Sequence, residues 1–157
     1  MNDDEALVLS RPLSSLDAIF SRFAIQAGYT IRHNDRHMPN RVLFREGNPN
    51  YFIELMYHRV SREMTGELIY QDDPYVDLWM SGYYTDERGL VYHSRQCIEF
   101  NMRLSDLASV LSLALDQIML KTIEIGEEIR LNGTDSPQWK LIESNNPKWK
   151  NNKPPQN

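Results

Sequence analysis

The chain has 157 residues, of which 41% are hydrophobic, and a formal net charge of −5. This length fits one domain and disfavours a second independent core, and the hydrophobic share excludes an intrinsically disordered chain. The acidic balance disfavours nonspecific binding to nucleic acid, and a single cysteine, Cys97, excludes an intrachain disulfide.

The N-terminal region carries no sign of targeting to a membrane. Its first residues are acidic rather than basic, and the apolar run from Ala6 to Leu9 is too short for the core of a signal peptide. No segment of the chain approaches the roughly 20 apolar residues that span a bilayer. We therefore expect a cytoplasmic protein that does not enter a membrane.

An amphipathic pattern predicts the first helix at about residues 15–27, after a polar leader. Apolar residues recur at helical spacing from Leu16 to Ala27, and Ser14 and Ser15 precede them. Gly28 predicts the end of this helix, because glycine readily adopts the left-handed conformation that closes helices.

Six short segments rich in β-forming residues follow, separated by turns rich in Asn, Asp, Gly and Pro. They are Tyr29–Arg32, Val42–Arg45, Tyr51–His58, Glu67–Gln71, Tyr75–Tyr84 and Leu90–Phe100. The short links predict an antiparallel meander. In the third segment, alternation places Tyr51, Ile53, Leu55 and Tyr57 on the face expected to meet the core.

A long helical pattern runs from Leu104 to Arg130, and Asn132 with Gly133 indicates its end. Its apolar face is wide, which predicts cover from the sheet and from the first helix or a second subunit. The remaining residues, 134–157, form a polar tail that we expect to be partly disordered, with Trp139, Leu141 and Ile142 docking first.

The order of these elements predicts an α+β fold in a single domain at residues 1–133. An N-terminal helix precedes an antiparallel meander sheet of about six strands, and a long C-terminal helix packs on that sheet.

Candidate metal and nucleophile sites are weak. His33, Asp35 and His37 lie in a turn-rich segment rather than on a helix that would align them, and His58 lies on a later strand. His93 and Cys97 share a strand, but four residues separate their Cα atoms by about 13 Å, beyond hydrogen-bond reach. We predict no metal and no cofactor, and a role for His33, His37, His58 or Cys97 stays open.

Acidic pairs and arginines also have simpler explanations. Asp72 with Asp73, or Asp77 with Glu99, would perform acid–base chemistry only in a pocket that raises one pKa, and no common catalytic motif is present. Six arginines lie among aromatic residues, as in single-strand nucleic-acid binders, but neighbouring glutamates reduce their charge. They are Arg32, Arg36, Arg41, Arg45, Arg59 and Arg62.

The segment from residue 65 to 88 combines six acids and five aromatic residues with one base, Arg88. Acids around Tyr and Trp are typical of a surface that steers and contacts a basic partner. We therefore predict that nine residues bind a partner: Glu67, Asp72, Asp73, Tyr75, Asp77, Trp79, Tyr83, Asp86 and Glu87. Under the alternative interpretation, the aromatic residues face the core and the acids are solvated turn residues.

In overall plan the chain resembles the immunity proteins of bacterial polymorphic toxin systems, including those of contact-dependent growth inhibition. The resemblance covers residues 15–131, with a helix at SSLDAIFSRFAIQAG, a meander through NYFIELMYH and GLVYHSRQCIEF, and a helix from LSDLASVLSLAL. It implies a non-enzymatic inhibitor that binds one toxin domain, often a basic nuclease, and occludes its active site. It identifies no binding residue. We also expect a monomer or homodimer that makes no direct contact with nucleic acid.

Two alternatives remain. SRFAIQAGYTIRH, VLFREG and NYFIELMYH are similar in cadence to the small acidic chaperones of type III secretion, which bind an effector segment. Those chaperones place a helix between their third and fourth strands, whereas residues 61–80 read as turn and strand. The other alternative is a small enzyme with a pocket that gathers His33, His58 or His93 with an acid.

Overall fold

The computed structural model describes residues 1–34 and 38–142. Its helices are α1 (Asp3–Ser10), a 3-10 helix (Pro12–Leu16), α2 (Asp17–Ala27) and α3 (Leu104–Asn132). Its strands are β1 (Thr30–His33), β2 (Asn40–Arg45), β3 (Asn50–Tyr57), β4 (Tyr75–Thr85), β5 (Val91–Arg103) and β6 (Lys140–Leu141). None of the described helices combines the length and hydropathy that a bilayer crossing requires.

All six strands form one antiparallel sheet in the order of the chain, from β1 to β6. The long helix α3 follows β5 directly and packs on the sheet. The predicted α+β fold, with an N-terminal helix, a six-stranded meander and a long C-terminal helix, is confirmed.

One strand of the sheet differs from the prediction. Residues 67–71 form no sheet strand, and near them only an isolated bridge joins Arg62 to Leu68. The reason is that β3 pairs with β4 along its whole length, from Asn50 to Tyr57, and leaves no edge between them. The sixth strand is β6, which pairs with Tyr92 and His93 at the edge of β5.

The N-terminus also differs, because the expected polar leader contains α1. The Asn2 side chain accepts a hydrogen bond from the Glu5 amide at 2.8 Å, which caps this helix, and Ala6 and Leu9 are buried. The predicted helix at 15–27 begins as the 3-10 helix and becomes α2 at Asp17. It ends as predicted at Gly28, whose φ of 77° is left-handed.

The core lies between one face of the sheet and the helices. Tyr51, Ile53 and Leu55 of β3 are buried there, as their alternation predicts. Leu107, Leu111, Leu115 and Ile118 supply the facing side of α3, four residues at helical spacing that are fully buried.

Arg41 ties the N-terminal helices to the sheet. Its side chain is buried and donates hydrogen bonds to Asp17 Oδ1 at 2.7 Å and to Ser10 Oγ at 2.6 Å. Because a buried guanidinium is costly unless paired, these contacts fix the end of α1 and the start of α2 against β2.

Trp139 docks the segment that follows α3, as predicted. Its ring is 6% exposed and packs into the core beside Gly82 of β4. A Cβ at Gly82 would lie 3.2 Å from Trp139 Cη2, so glycine leaves room for the indole. Leu141 is exposed and Ile142 is half-buried, and the predicted disorder after Ile142 falls outside the described residues.

Candidate partner-binding surface

The sheet face opposite the helices carries a row of rings, which we call the ring row: Phe44, Phe52, Tyr83 and His93. These residues come from four neighbouring strands, β2 to β5. Successive ring centroids lie 4.9, 5.6 and 4.5 Å apart, and the Tyr83 and His93 rings are stacked. The alternation that sends Tyr51 and Ile53 into the core sends Phe52 to this face.

Trp79 and Arg95 lie beside the ring row. The Arg95 guanidinium sits 4.0 Å from the centroid of the Trp79 ring, within the range of a cation–π interaction. The Trp79 Nε1 atom is buried and has no hydrogen-bond partner among the described residues. At the other end of the ring row, the Arg32 guanidinium stacks over the Phe44 ring at 5.7 Å from its centroid.

A cleft of about 180 Å³ opens on this face and is lined by Val42, Phe52, Glu54, Ser81, Tyr83, His93 and Arg95. His93 and an acid, Glu54, both line it, as the enzyme alternative expects. Its volume is below the roughly 300–1,000 Å³ of small-molecule pockets and suits a single inserted side chain better. The enzyme alternative stays a prediction.

His93 is a polar residue that is half-buried in this cleft. Its Nε2 atom is buried without a hydrogen-bond partner among the described residues. Burial, and then the charge of Arg95, lower the pKa of His93 below its usual value. The imidazole is therefore neutral near pH 7.

The structure separates the nine residues predicted to bind a partner. Trp79 and Tyr83 lie on the open sheet face with the ring row. Glu67 and Asp72 are exposed in the segment between β3 and β4, and Glu87 is exposed in the turn between β4 and β5. Because β4 has 11 residues, its two ends lie about 33 Å apart, so these acids do not form one patch.

Three of the nine residues hold the start of β4 and of α3 in place. Asp73 accepts hydrogen bonds from the Ser105 amide at 2.8 Å and its hydroxyl at 2.7 Å, which caps α3. The Tyr75 hydroxyl accepts a hydrogen bond from Arg103 at 3.0 Å. Asp77 is buried and accepts hydrogen bonds from His58 Nδ1 at 3.0 Å and the Asn101 amide at 2.7 Å.

Asp86 shapes the turn between β4 and β5. Its carboxylate accepts hydrogen bonds from the amides of Arg88 and Leu90, both at 2.9 Å, and from the Arg88 guanidinium. This geometry is that of an aspartate that bonds its own turn. Glu87, the next residue, remains free of this network and points to solvent.

Phe44, Phe52, His93 and Arg95 belong to the surface but were not among the nine. The alternation in β3 already placed Phe52 opposite the core face. Applying the same alternation to β5, in register with Tyr83, would have placed His93 and Arg95 on the open face with it.

The weaker candidates remain apart from one another. His33 Nδ1 lies 4.0 Å from Asp17, and His58 pairs with Asp77, while Asp35 and His37 fall outside the described residues. No group of three metal-ligating residues occurs in residues 1–34 and 38–142. Cys97 is exposed, and desolvation, followed by the nearby Asp77 charge, raises the pKa of its thiol.

Arg41, Arg45 and Arg62 of the basic region, like Arg32 over Phe44, contact groups within the chain. Arg41 pairs with Asp17, and Arg62 pairs with Glu5 at 2.9 Å. Arg45 stacks over the rings of Tyr29 and Tyr51 at 5.4 and 5.1 Å. These contacts favour the interpretation of the basic region as structural surface rather than a phosphate-binding groove.

Comparisons of the chain with protein-family models, with curated proteins and with solved structures found no match. The fold and the surfaces described above are therefore the observations on which a function can be proposed.

Proposed function

We propose that this chain is a non-enzymatic binding protein of the immunity type. It binds a cognate toxin domain through the open sheet face and neutralises the toxin by covering its active site. The observation that carries this proposal is the open sheet face, where Tyr83 of the ring row lies together with Trp79 and Arg95 and no helix packs over them in residues 1–34 and 38–142.

These residues are the types that dominate the energy of protein interfaces. Trp and Tyr supply large contact areas with few torsions to freeze. Together with Arg, they are enriched among residues whose truncation costs about 2 kcal/mol or more. Trp79 and Tyr83 are held by their neighbours on the sheet, so ordering them on binding costs little. The cleft between Phe52 and Arg95 offers a site for one anchoring side chain of the partner.

We further propose that the toxin domain is basic. Glu67, Asp72 and Glu87 are exposed and unpaired in the described hydrogen-bond and ion-pair network, and the chain has a net charge of −5. Such charges accelerate encounter with a cationic partner rather than fixing the final contact. The proposal includes no direct contact with nucleic acid, and the working state is a monomer or homodimer in the cytoplasm.

The chaperone alternative receives no specific support. It implies a helix between the third and fourth strands, and residues 58–74 contain none. For this reason the immunity type is the function we propose.

Pull-down from the native strain, followed by identification of the bound protein, tests the proposal. We expect a toxin domain whose activity falls when the purified chain is added in stoichiometric amount. Trp79→Ala and Tyr83→Ala should each weaken its binding by about ten- to a hundredfold. Ile25→Ala is the matched control, because Ile25 is 84% exposed on α2, on the opposite layer.

Two results would contradict the proposal. One is capture of a partner whose activity is unchanged by saturating amounts of the chain. The other is a partner whose affinity is unaffected by Trp79→Ala and Tyr83→Ala while both variants remain folded.

A further inference from the structure

The outer side of α3 carries a second apolar surface, which we call the α3 ridge: Leu113, Leu120, Ile123 and Leu131. These side chains are 61, 61, 59 and 67% exposed, respectively. Their spacing places them on one side of the helix, opposite Leu111, Leu115 and Ile118 in the core. No other element covers the ridge in the part of the chain that the structure describes.

Acidic side chains lie within this ridge and beside it. Residues 104–131 contain five acids against two bases, Lys121 and Arg130, a net charge of −3. One of the two bases, Arg130, already pairs with Glu127 at 2.8 Å. Asp116 is exposed between Leu113 and Leu120 on the same side of α3, and Glu127 is exposed between Ile123 and Leu131. Glu124 is exposed beside Leu120. The ridge therefore combines four large apolar side chains with negative charges among and beside them.

Charge and composition distinguish between the segments that could cover the α3 ridge. Two copies of the chain packed ridge to ridge would bring the acidic side chains of the two ridges together, which is unfavourable. The residues after Ile142 carry Lys148, Lys150 and Lys153 but only one large apolar side chain, Trp149, and three prolines. That segment cannot supply apolar residues at helical spacing to match the ridge.

We propose that the α3 ridge binds a cationic amphipathic helix of a partner protein. Such a helix places apolar side chains at i, i+3 or i+4 and i+7 on the ridge and Lys or Arg beside Asp116 and Glu124. From Leu113 to Leu131 the ridge extends over about 27 Å, which matches about five turns of a helix. This surface is separate from the open sheet face, so the proposal stands apart from toxin neutralisation.

The test uses the full chain and a fluorescein-labelled model peptide of about 18 residues, with leucines on one helical face and lysines elsewhere. Two control peptides accompany it: one of the same composition in scrambled order, and one with glutamate in place of lysine. Fluorescence anisotropy at low and high salt measures binding. We expect the amphipathic lysine peptide to bind more tightly than both controls and to weaken as salt rises.

Substitutions on α3 show whether the peptide binds at the α3 ridge. Leu120→Ser combined with Ile123→Ser should weaken binding about tenfold, whereas Ile25→Ser on α2 should not change it. Because serine lowers helix propensity, a second variant keeps the test independent of folding. Asp116→Asn combined with Glu124→Gln preserves side-chain shape and should reduce the salt dependence of binding.

The proposal is wrong if the scrambled peptide binds as tightly as the amphipathic one, or if both double variants bind like the unchanged chain. It is also wrong if light scattering shows a dimer that Leu120→Ser with Ile123→Ser converts to a monomer, since a second copy then occupies the ridge. None of these results depends on the toxin partner, so failure here is distinguishable from failure of the proposed function.

Discussion

Asp77 was predicted from its charge to bind a partner, but its surroundings give it a structural use. It is 6% exposed and joins His58 at the end of β3 to the Asn101 amide of β5. Asn101 has a φ of 52°, a left-handed conformation that costs energy in most residues, at the irregular pairing of β4 with β5. The carboxylate thus stabilises a bend in the sheet.

We expect Asp77→Ala to lower the free energy of unfolding by about 1–3 kcal/mol, because two hydrogen-bond donors lose a buried acceptor. Urea denaturation followed by circular dichroism measures the change. Glu87→Ala, at an exposed turn position, is the control and should stay within about 0.5 kcal/mol. Equal effects of the two variants would contradict the structural role of Asp77.

His93 gives the stability of the chain a dependence on pH. Its pKa is lowered by burial and by Arg95. The His93 side chain therefore stays neutral in the folded chain at a pH at which the unfolded chain already binds a proton, below about 6.5. The stability contributed by neutral His93 is therefore present above pH of about 6.5 and declines as the pH falls toward the lower folded pKa.

Urea denaturation of the unchanged chain and of His93→Gln between neutral and mildly acidic pH tests this dependence. The stability advantage of the unchanged chain should shrink on acidification, because glutamine does not titrate. His33, whose pKa is also lowered by burial, is present in both proteins and cancels from the difference. An advantage that stays constant or grows as the pH falls would show that the direction is wrong.

Single-residue roles were the hardest feature to predict from the sequence. The alternation in β3 correctly assigned Tyr51, Ile53 and Leu55 to the core, because one face of a sheet must be buried. The use of Asp73 and Asp77 could not be predicted, because each depends on an amide that only the folded chain brings within 3 Å. Asp86 differs, because it bonds amides of its own turn. Charge alone does not distinguish a helix cap from an interface.

At the scale of elements, long periodic segments were predicted well and short ones were not. The pattern of α3 gave its start at Leu104 and its end near Gly133, because it repeats over eight turns. β6 has only two residues and no alternation to detect. Residues 67–71 have strand propensity, but β3 and β4 pair with each other and leave no edge for them.

The docking of Trp139 beside Gly82 leads to a prediction for β6. Trp139→Ala should lower the free energy of unfolding by about 3–5 kcal/mol, since a buried indole leaves a cavity. Gly82→Ala should cost about 1–3 kcal/mol, because its Cβ would crowd the indole at 3.2 Å. Lys140→Ala, an exposed change on β6 at the residue after Trp139, is the control for both.

A double-mutant cycle sharpens this prediction. In the Trp139→Ala background, Gly82→Ala should cost less than it does alone, because the crowding ring is gone. Additive costs in denaturant unfolding would mean that Gly82 does not serve to accommodate Trp139.

For the whole molecule, the order of helix, meander and helix was sufficient to predict the α+β architecture, because short links make successive strands neighbours. The distribution of charge over the surface was not predictable in the same way. Asp72 and Glu87 lie within 16 positions of each other in the sequence, but they occupy opposite ends of the extended strand β4.

This separation changes how the proposed steering of a basic toxin should be tested. Asp72→Asn and Glu87→Gln spare the structural Asp73 and Asp86. Each should slow association at low salt by about two- to threefold. Their effects on the logarithm of the rate should add, because about 33 Å exceeds the Debye length of about 10 Å. Stopped-flow association measures the rates, and rates unchanged in both variants would exclude steering by these acids.

The late position of β6 in the sequence has a consequence for how the chain folds during its synthesis. β1 to β5 follow one another in sequence, so their pairing requires only local encounters. Trp139 and β6 arrive after the 29 residues of α3, and until then Gly82 and the backbone of Tyr92 and His93 stay uncovered. During synthesis, the sheet is therefore open at the β5 edge until residue 141 emerges, and that edge is where a nascent chain is most exposed to chaperones, proteases and mispairing.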